Sequence, residues 1–163
     1  MKLEGQLGTA LGTAFSDSSG MAMISPFQAR VPGVYTTARP ADLADPEQVC
    51  GLVEDTVSTH GRLDGVVANA GVMAVGTVAE ASVADWQQAI DVNLTSTFML
   101  AQQSIPHLRS IRGAFVAVGS IAGIRAPKGA AAYAITKSAI GMLVVIAVEE
   151  AGNGVRANCV NPG

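Results

Sequence analysis

The chain has 163 residues, enough for one domain with a sizeable core and too few for two ordinary ones. Hydrophobic residues make up 49% but aromatics only 4%, and many small apolar residues with 18 glycines suit closely packed α/β layers rather than a β-sandwich or a disordered chain. A net charge of −3 offers no basic footprint for nucleic acid or an anionic membrane. Along the chain, residues 1 to about 40 show no clean period of 2 or 3.6; only "GVYTTAR" near their end resembles a strand. Cys50 and Cys159 lack metal-ligand spacing and read as buried, reduced thiols, so no metal site is expected.

From about residue 46 the pattern becomes regular. "DPEQVCGLVEDTVSTHG" predicts a helix capped by Asp45, with Pro46 at its first position, an apolar stripe of Val49, Leu52, Val53 and Val57, and a stop at Gly61. "LDGVVANAG" reads as a short buried strand, and residues 82–110 as one or two helices kinked or shortened by Pro106. "GAFVAVGSIAG" is a second buried strand, residues 131–152 a helix closed by glycines, and "VRANCVNPG" a last strand. Strands with continuous apolar runs, alternating with helices, predict a parallel sheet with helices packed on it. Ligands bind such sheets beyond the carboxyl ends of the strands, where Asn69, Ser120 and Asn161 fall. His60 and His107 read as surface or helix-end residues. No charged-then-apolar leader opens the sequence, and the longest strongly apolar run, Ile140 to Val148, is short for a membrane span; a cytoplasmic protein is expected.

One helix raises a chemical question. Tyr133 and Lys137, at i and i+4, share a face of an otherwise apolar helix. An ammonium held beside a phenol in a partly dry site favours the phenolate, which brings a group with a reference pKa of about 10 toward useful acid–base chemistry. Alone, the pair more often marks a core edge and a solvated tip. The surrounding motifs change that weighing: "ADLAD" (41–45), "ANAG" (68–71), "DVNLTSTF" (91–98), "VGSIAG" (118–123), "YAITK" (133–137) and "NPG" (161–163) occur in this order.

In these motifs the chain resembles the short-chain dehydrogenases/reductases, over residues 41 to 163. The resemblance implies a single α/β domain over 1–163, a Rossmann-like doubly wound parallel sheet in three layers, incomplete at both ends. It also implies NAD or NADP as cofactor and a small-molecule secondary alcohol or ketone as substrate. Tyr133 would be the general acid/base, Lys137 its partner and a contact to the nicotinamide ribose, and Ser120 a donor to the substrate oxygen. Asn93 would bulge its helix and anchor a water on the proton path. Asp42, Leu43, Asn69, Ala70, Gly71, Pro162 and Gly163 would contact the cofactor, together with Tyr133 and Lys137. A homo-oligomer through helices of about 84–110 and 131–152 is implied as well, since apolar residues of the second helix exceed one stripe.

The amino end departs from the family pattern. No apolar strand and T-G-x-x-x-G-x-G turn follow "MKLEG", and "GTALG" (8–12) is a lone G-x-x-x-G. Residues 1–40 therefore read as a divergent or damaged segment, leaving the strand of "LDGVVANAG" with an unpaired edge; a substitute strand from residues 6–15 is the less favoured outcome. "GVYTTAR" fits the family's second or third strand. If second, Arg39 would meet the 2′-phosphate of NADP. The rival to an enzyme is a non-catalytic fragment or degenerate paralogue that keeps the fold and a dimerisation surface.

Overall fold

The computed structural model describes residues 39–163 except Asn153, together with the backbone of residues 10–12 and 21–24. Strands β1 (Ala10–Gly12), β2 (Met21–Ile24) and β3 (Arg39–Asp42) precede helix α1 (Pro46–His60) and strand β4 (Gly65–Ala68). Helix α2 (Val83–Ala89) runs through a π-helical turn (Ile90–Thr95) into α3 (Ser96–Ile111). Then come β5 (Ala114–Val118), a 3-10 turn (Ile121–Gly123), α4 (Ala131–Ala151) and β6 (Arg156–Val160).

The ends of α1 follow from local chemistry. The Asp45 carboxylate accepts from the Glu47 amide at 2.9 Å, satisfying one of the helix's orphan donors, and Pro46 supplies a preset φ where no amide is needed. Gly61 closes the helix at φ 73°, a conformation that only glycine adopts cheaply, and donates to the Val57 carbonyl at 2.7 Å. Val49, Leu52 and Val53 are buried, as their spacing predicts.

The main sheet has the order β1-β4-β5-β6 with every pair parallel. Its register aligns Val66 with Phe115 and Ala157, and Ala68 with Ala117 and Cys159. This row faces the helices and forms the core with Leu52, Leu100, Leu108 and Ile140. Helices α3 and α4 touch each other and both touch β5, so they share one face, as crossovers of one hand require. In the alternate row Val67 and Val160 are exposed and Val116 and Val118 half-buried. The described residues therefore supply the sheet and one helical layer of the expected doubly wound fold; a second helical layer is not among them.

Several expectations change. The edge of β4 is paired: Ala10, Leu11 and Gly12 lie opposite Gly65, Val66 and Val67. The substitute strand forms without a β-branched run because ladder pairing uses backbone groups that every residue but proline carries. Strand β3 covers Arg39–Asp42 and pairs antiparallel with β2 in a separate two-stranded sheet; residues 33–38 of "GVYTTAR" lie outside the described residues. Arg39 is ion-paired with Asp55 of α1. Pro106 does not shorten its helix, which runs past it to Ile111. Cys50 and Cys159 are free but only half-buried, since each sits where its element meets the rim of the core rather than its centre.

Helix α4 has the length and mean hydropathy, 1.9, of a bilayer-crossing segment. Its contacts argue otherwise: Ile140, Val144 and Ala147 are buried, and the helix packs on β5 and β6. It serves as a core helix of this sheet.

Candidate active site

Parallel strands bring their carboxyl ends to one edge, and there the candidate residues gather. Val118 and Val160, the last residues of β5 and β6, are register partners. Beyond them the Asn161 side-chain oxygen accepts from the Ser120 amide at 3.0 Å, while Val160 and Pro162 carbonyls accept from Gly119 and Ile121 at 2.8 and 2.9 Å. A Cβ on Gly119 would overlap the Asn161 side chain, so a bare backbone here leaves Asn161 free to bond the Ser120 amide. Ser120 then caps the 3-10 turn, its hydroxyl oxygen accepting from the Ala122 amide at 3.1 Å.

That turn is pressed onto α4. A Cβ on Gly123 would stand 2.7 Å from the Lys137 carbonyl carbon and from the Ser138 nitrogen, inside any tolerable contact. Ser120 is thereby tied to the helix that carries Tyr133 and Lys137. The Lys137 ammonium lies 5.8 Å from the centroid of the Tyr133 ring and donates to the Val118 carbonyl at 2.8 Å. Lys137 is only 4% exposed. Burial pushes its ammonium below the ordinary lysine range because the charged form loses water, with Cys159 acting weakly in the opposite direction.

Asn93 is fully buried inside the π-helical turn, the bulge expected of it. Its side chain accepts from the Val72 amide at 2.7 Å and donates to the Val72 carbonyl at 3.0 Å and to the Thr136 hydroxyl at 3.1 Å. Gly71 completes the junction: a Cβ there would stand 3.1 Å from Lys137 Nζ and 3.2 Å from Asn93 Oδ1. The ends of β4 and β5, the π-turn and α4 thus converge on Lys137.

The candidate cofactor contacts are less uniform. Asn69, Ala70 and Gly71 lie just beyond β4, and Pro162 and Gly163 just beyond β6. Asp42 ends β3, where its carboxylate accepts from the Ala44 amide at 2.9 Å and its own amide donates to Gln48. Leu43 is buried in the core, 2% exposed. Gly71 has no side chain because Lys137 and Asn93 already occupy the space a Cβ would enter, so it lets the segment beyond β4 approach Lys137 closely. A cleft of about 290 Å³ lies elsewhere, between α4 and β6, lined by Val144, Val145, Val148 and Ala157; none of the candidate catalytic residues lines it.

The sequence reading missed three participants. Thr136 is fully buried and bonds both Asn93 and the Tyr133 carbonyl, the latter at 2.9 Å. A threonine three residues after Tyr133 carries a signal for that second bond, because helical hydroxyls donate back to carbonyls at i−3 or i−4. Val72 and Val118 contribute backbone groups alone, which no side-chain pattern reveals.

The family model described as short chain dehydrogenase matches residues 8–163. This chain belongs to the short-chain dehydrogenase family. It is 36% identical to mouse L-fucose dehydrogenase over 126 residues, covering 76% of this chain and 46% of that protein. It is 38% identical to 2,3-dihydro-2,3-dihydroxybenzoate dehydrogenase of Escherichia coli over 124 residues, 75% of this chain and 50% of the relative. Among solved structures, a short-chain dehydrogenase/reductase from Serratia marcescens superposes with a TM-score of 0.72 at 34% identity, covering 76% of this chain and 51% of that one. An NADH-dependent reductase complexed with NAD matches with the same TM-score at 28% identity, over 76% of this chain and 55% of its own. The chain spans about half the length of the curated relatives it matches.

Proposed function

We propose that this chain is the core of an NAD(P)-dependent oxidoreductase acting on a secondary alcohol/ketone pair, with Tyr133 as general acid/base. The observation that carries the reading is the buried Lys137 ammonium, held 5.8 Å from the Tyr133 ring by the Val118 carbonyl. A cation in a dry site stabilises negative charge as it develops on a neighbouring phenolic oxygen. Tyr133 exchanges the proton of the substrate oxygen, Ser120 holds that oxygen by a hydrogen bond, and Lys137 provides the compensating charge. Asn93 keeps the loop beyond β4 at Val72 and the helix at Thr136 in register around Lys137.

The structural neighbour that is an NADH-dependent reductase complexed with NAD supports NAD or NADP as the cofactor. Asn69, Ala70 and Gly71, with Asp42, Leu43, Pro162 and Gly163, are the residues that would hold it, alongside Tyr133 and Lys137. A bound nicotinamide supplies or accepts the hydride.

The same reading includes a homo-oligomer. Ile135, Met142, Val145, Ile146 and Val148 of α4 and Phe98 of α3 are exposed, more apolar surface than one buried stripe leaves on a monomer. Sedimentation at micromolar concentration should find a dimer or larger species; a stable monomer would contradict this part.

The test of the activity is absorbance of NADH and NADPH with a panel of ketones, for the wild-type chain and for Tyr133→Phe. Turnover that falls by about 10²–10⁴-fold in the variant, with an unchanged circular dichroism spectrum, supports the assignment. Full activity in Tyr133→Phe removes Tyr133 from the chemistry. No turnover and no dinucleotide binding by the wild-type chain favours the non-catalytic rival.

A further inference from the structure

Helix α4 begins without a side-chain cap: residue 130 is alanine, and the Ala131 amide is satisfied instead by the Gly76 carbonyl at 3.1 Å. Tyr133 therefore sits in a first turn that its own sequence does little to anchor. The turn is instead tied from the side. The Thr136 hydroxyl donates to the Tyr133 carbonyl at 2.9 Å and accepts from Asn93 Nδ2 at 3.1 Å. Asn93 is locked in turn to both backbone groups of Val72, at 2.7 and 3.0 Å. Every side chain in this chain of bonds is fully buried, so water cannot replace a lost member.

We infer that Thr136 is a positioning residue for Tyr133: its hydroxyl couples the π-turn of Asn93 to the first turn of α4 and sets where the phenol stands. The inference rests on the proposed role of Tyr133 for its effect on rate, but the coupling itself is structural. The hydroxyl, rather than the bulk of the side chain, carries it, because only oxygen can accept from Asn93 and donate to the Tyr133 carbonyl at once. Losing it leaves the Asn93 amide with its Val72 partners and the Tyr133 carbonyl with its ordinary helical bond. The fold should therefore survive while the turn loosens.

The experiment uses 3-fluorotyrosine labelling of the full chain in a Tyr35→Phe background, which leaves Tyr133 as the single labelled tyrosine of the two present. Fluorine NMR is recorded for wild type, Thr136→Val and Thr136→Ser, with thermal melts and steady-state kinetics alongside. Thr136→Val should broaden, split or shift the Tyr133 resonance and lower kcat about tenfold with KM changed less than about twofold, one order of magnitude being about 1.4 kcal/mol in the barrier. Thr136→Ser should restore both signals. An unmoved resonance in a folded Thr136→Val chain overturns the inference whatever the kinetics show. If the valine variant does not fold, the serine variant decides: a wild-type resonance supports the hydroxyl as the carrier, and a perturbed one assigns the effect to methyl packing and overturns it. A resonance that moves in Thr136→Val while the wild-type chain shows no turnover keeps the coupling and discards the oxidoreductase reading.

Discussion

Helices α1 and α4 reach their places by different routes. Helix α1 is written out locally, with a carboxylate cap, a proline at its first position, one buried stripe and a left-handed glycine at its end. Helix α4 has no side-chain cap, a mean hydropathy that suits either a membrane or a core, and apolar residues all round. Yet α4 carries the Tyr133–Lys137 pair, and its first two turns are fixed by Gly76, Asn93 and Gly123 from elsewhere in the chain. A helix that only has to fold can be anchored by its own residues. One that has to hold chemical groups against strand ends is anchored by them.

Among the variants that separate these two helices, the largest effect should come from Lys137. Replacing it with methionine should lower turnover by about a hundredfold or more, since it removes the only charge in the proposed proton path. The same change should raise the melting temperature at neutral pH, by about 2–4 °C for each kcal/mol of desolvation relieved. The sign follows from linkage. Burial depresses the folded-state value of Lys137, so the unfolded chain binds more protons between that value and the reference value of about 10.4. Wild-type stability should therefore gain from this residue as pH rises through that window, and the gain should vanish in Lys137→Met. Melts between pH 7 and 10 that show no difference in slope would contradict the burial argument.

Gly123→Ala comes next. Its Cβ would strike backbone atoms of α4, which cannot rotate away, so the 3-10 turn must lift off the helix. We expect a cost of about 1–3 kcal/mol in denaturant unfolding and a larger fractional loss of turnover than of stability, because Ser120 moves with the turn. Gly61→Ala should cost about 1–2 kcal/mol, from the left-handed backbone alone, and leave any activity of the folded chain unchanged. The contrast between these two glycines separates an anchor of α4 from a terminus of α1. Smallest is Arg39→Ala: its ion pair with Asp55 is largely exposed, and removing it should change stability by about 0.5 kcal/mol or less. If Arg39 instead met a 2′-phosphate, this variant would lose NADPH affinity while keeping that for NADH, which parallel fluorescence titrations would reveal.

Most elements from residue 46 onward were legible in the sequence because their signals are local. Asp45, Pro46 and Gly61 mark α1, apolar runs ended by glycine mark β4 and β5, and the Tyr133–Lys137 spacing places both groups on one helix face. Ordered motifs then made the family visible, and parallel strands made it predictable that Asn69, Ser120 and Asn161 would share an edge. Tertiary structure decided the rest. No local feature of Ala10–Gly12 marks a strand; it pairs with β4 because an open central edge leaves amides and carbonyls without partners. Arg39 took Asp55 as its partner through the approach of β3 to α1, which no spacing in the sequence specifies. Thr136 became a junction only when the π-turn brought Asn93 within 3.1 Å of it. A side chain's covalent chemistry is its own, but the water it loses and the partners it gains are set by segments far along the chain.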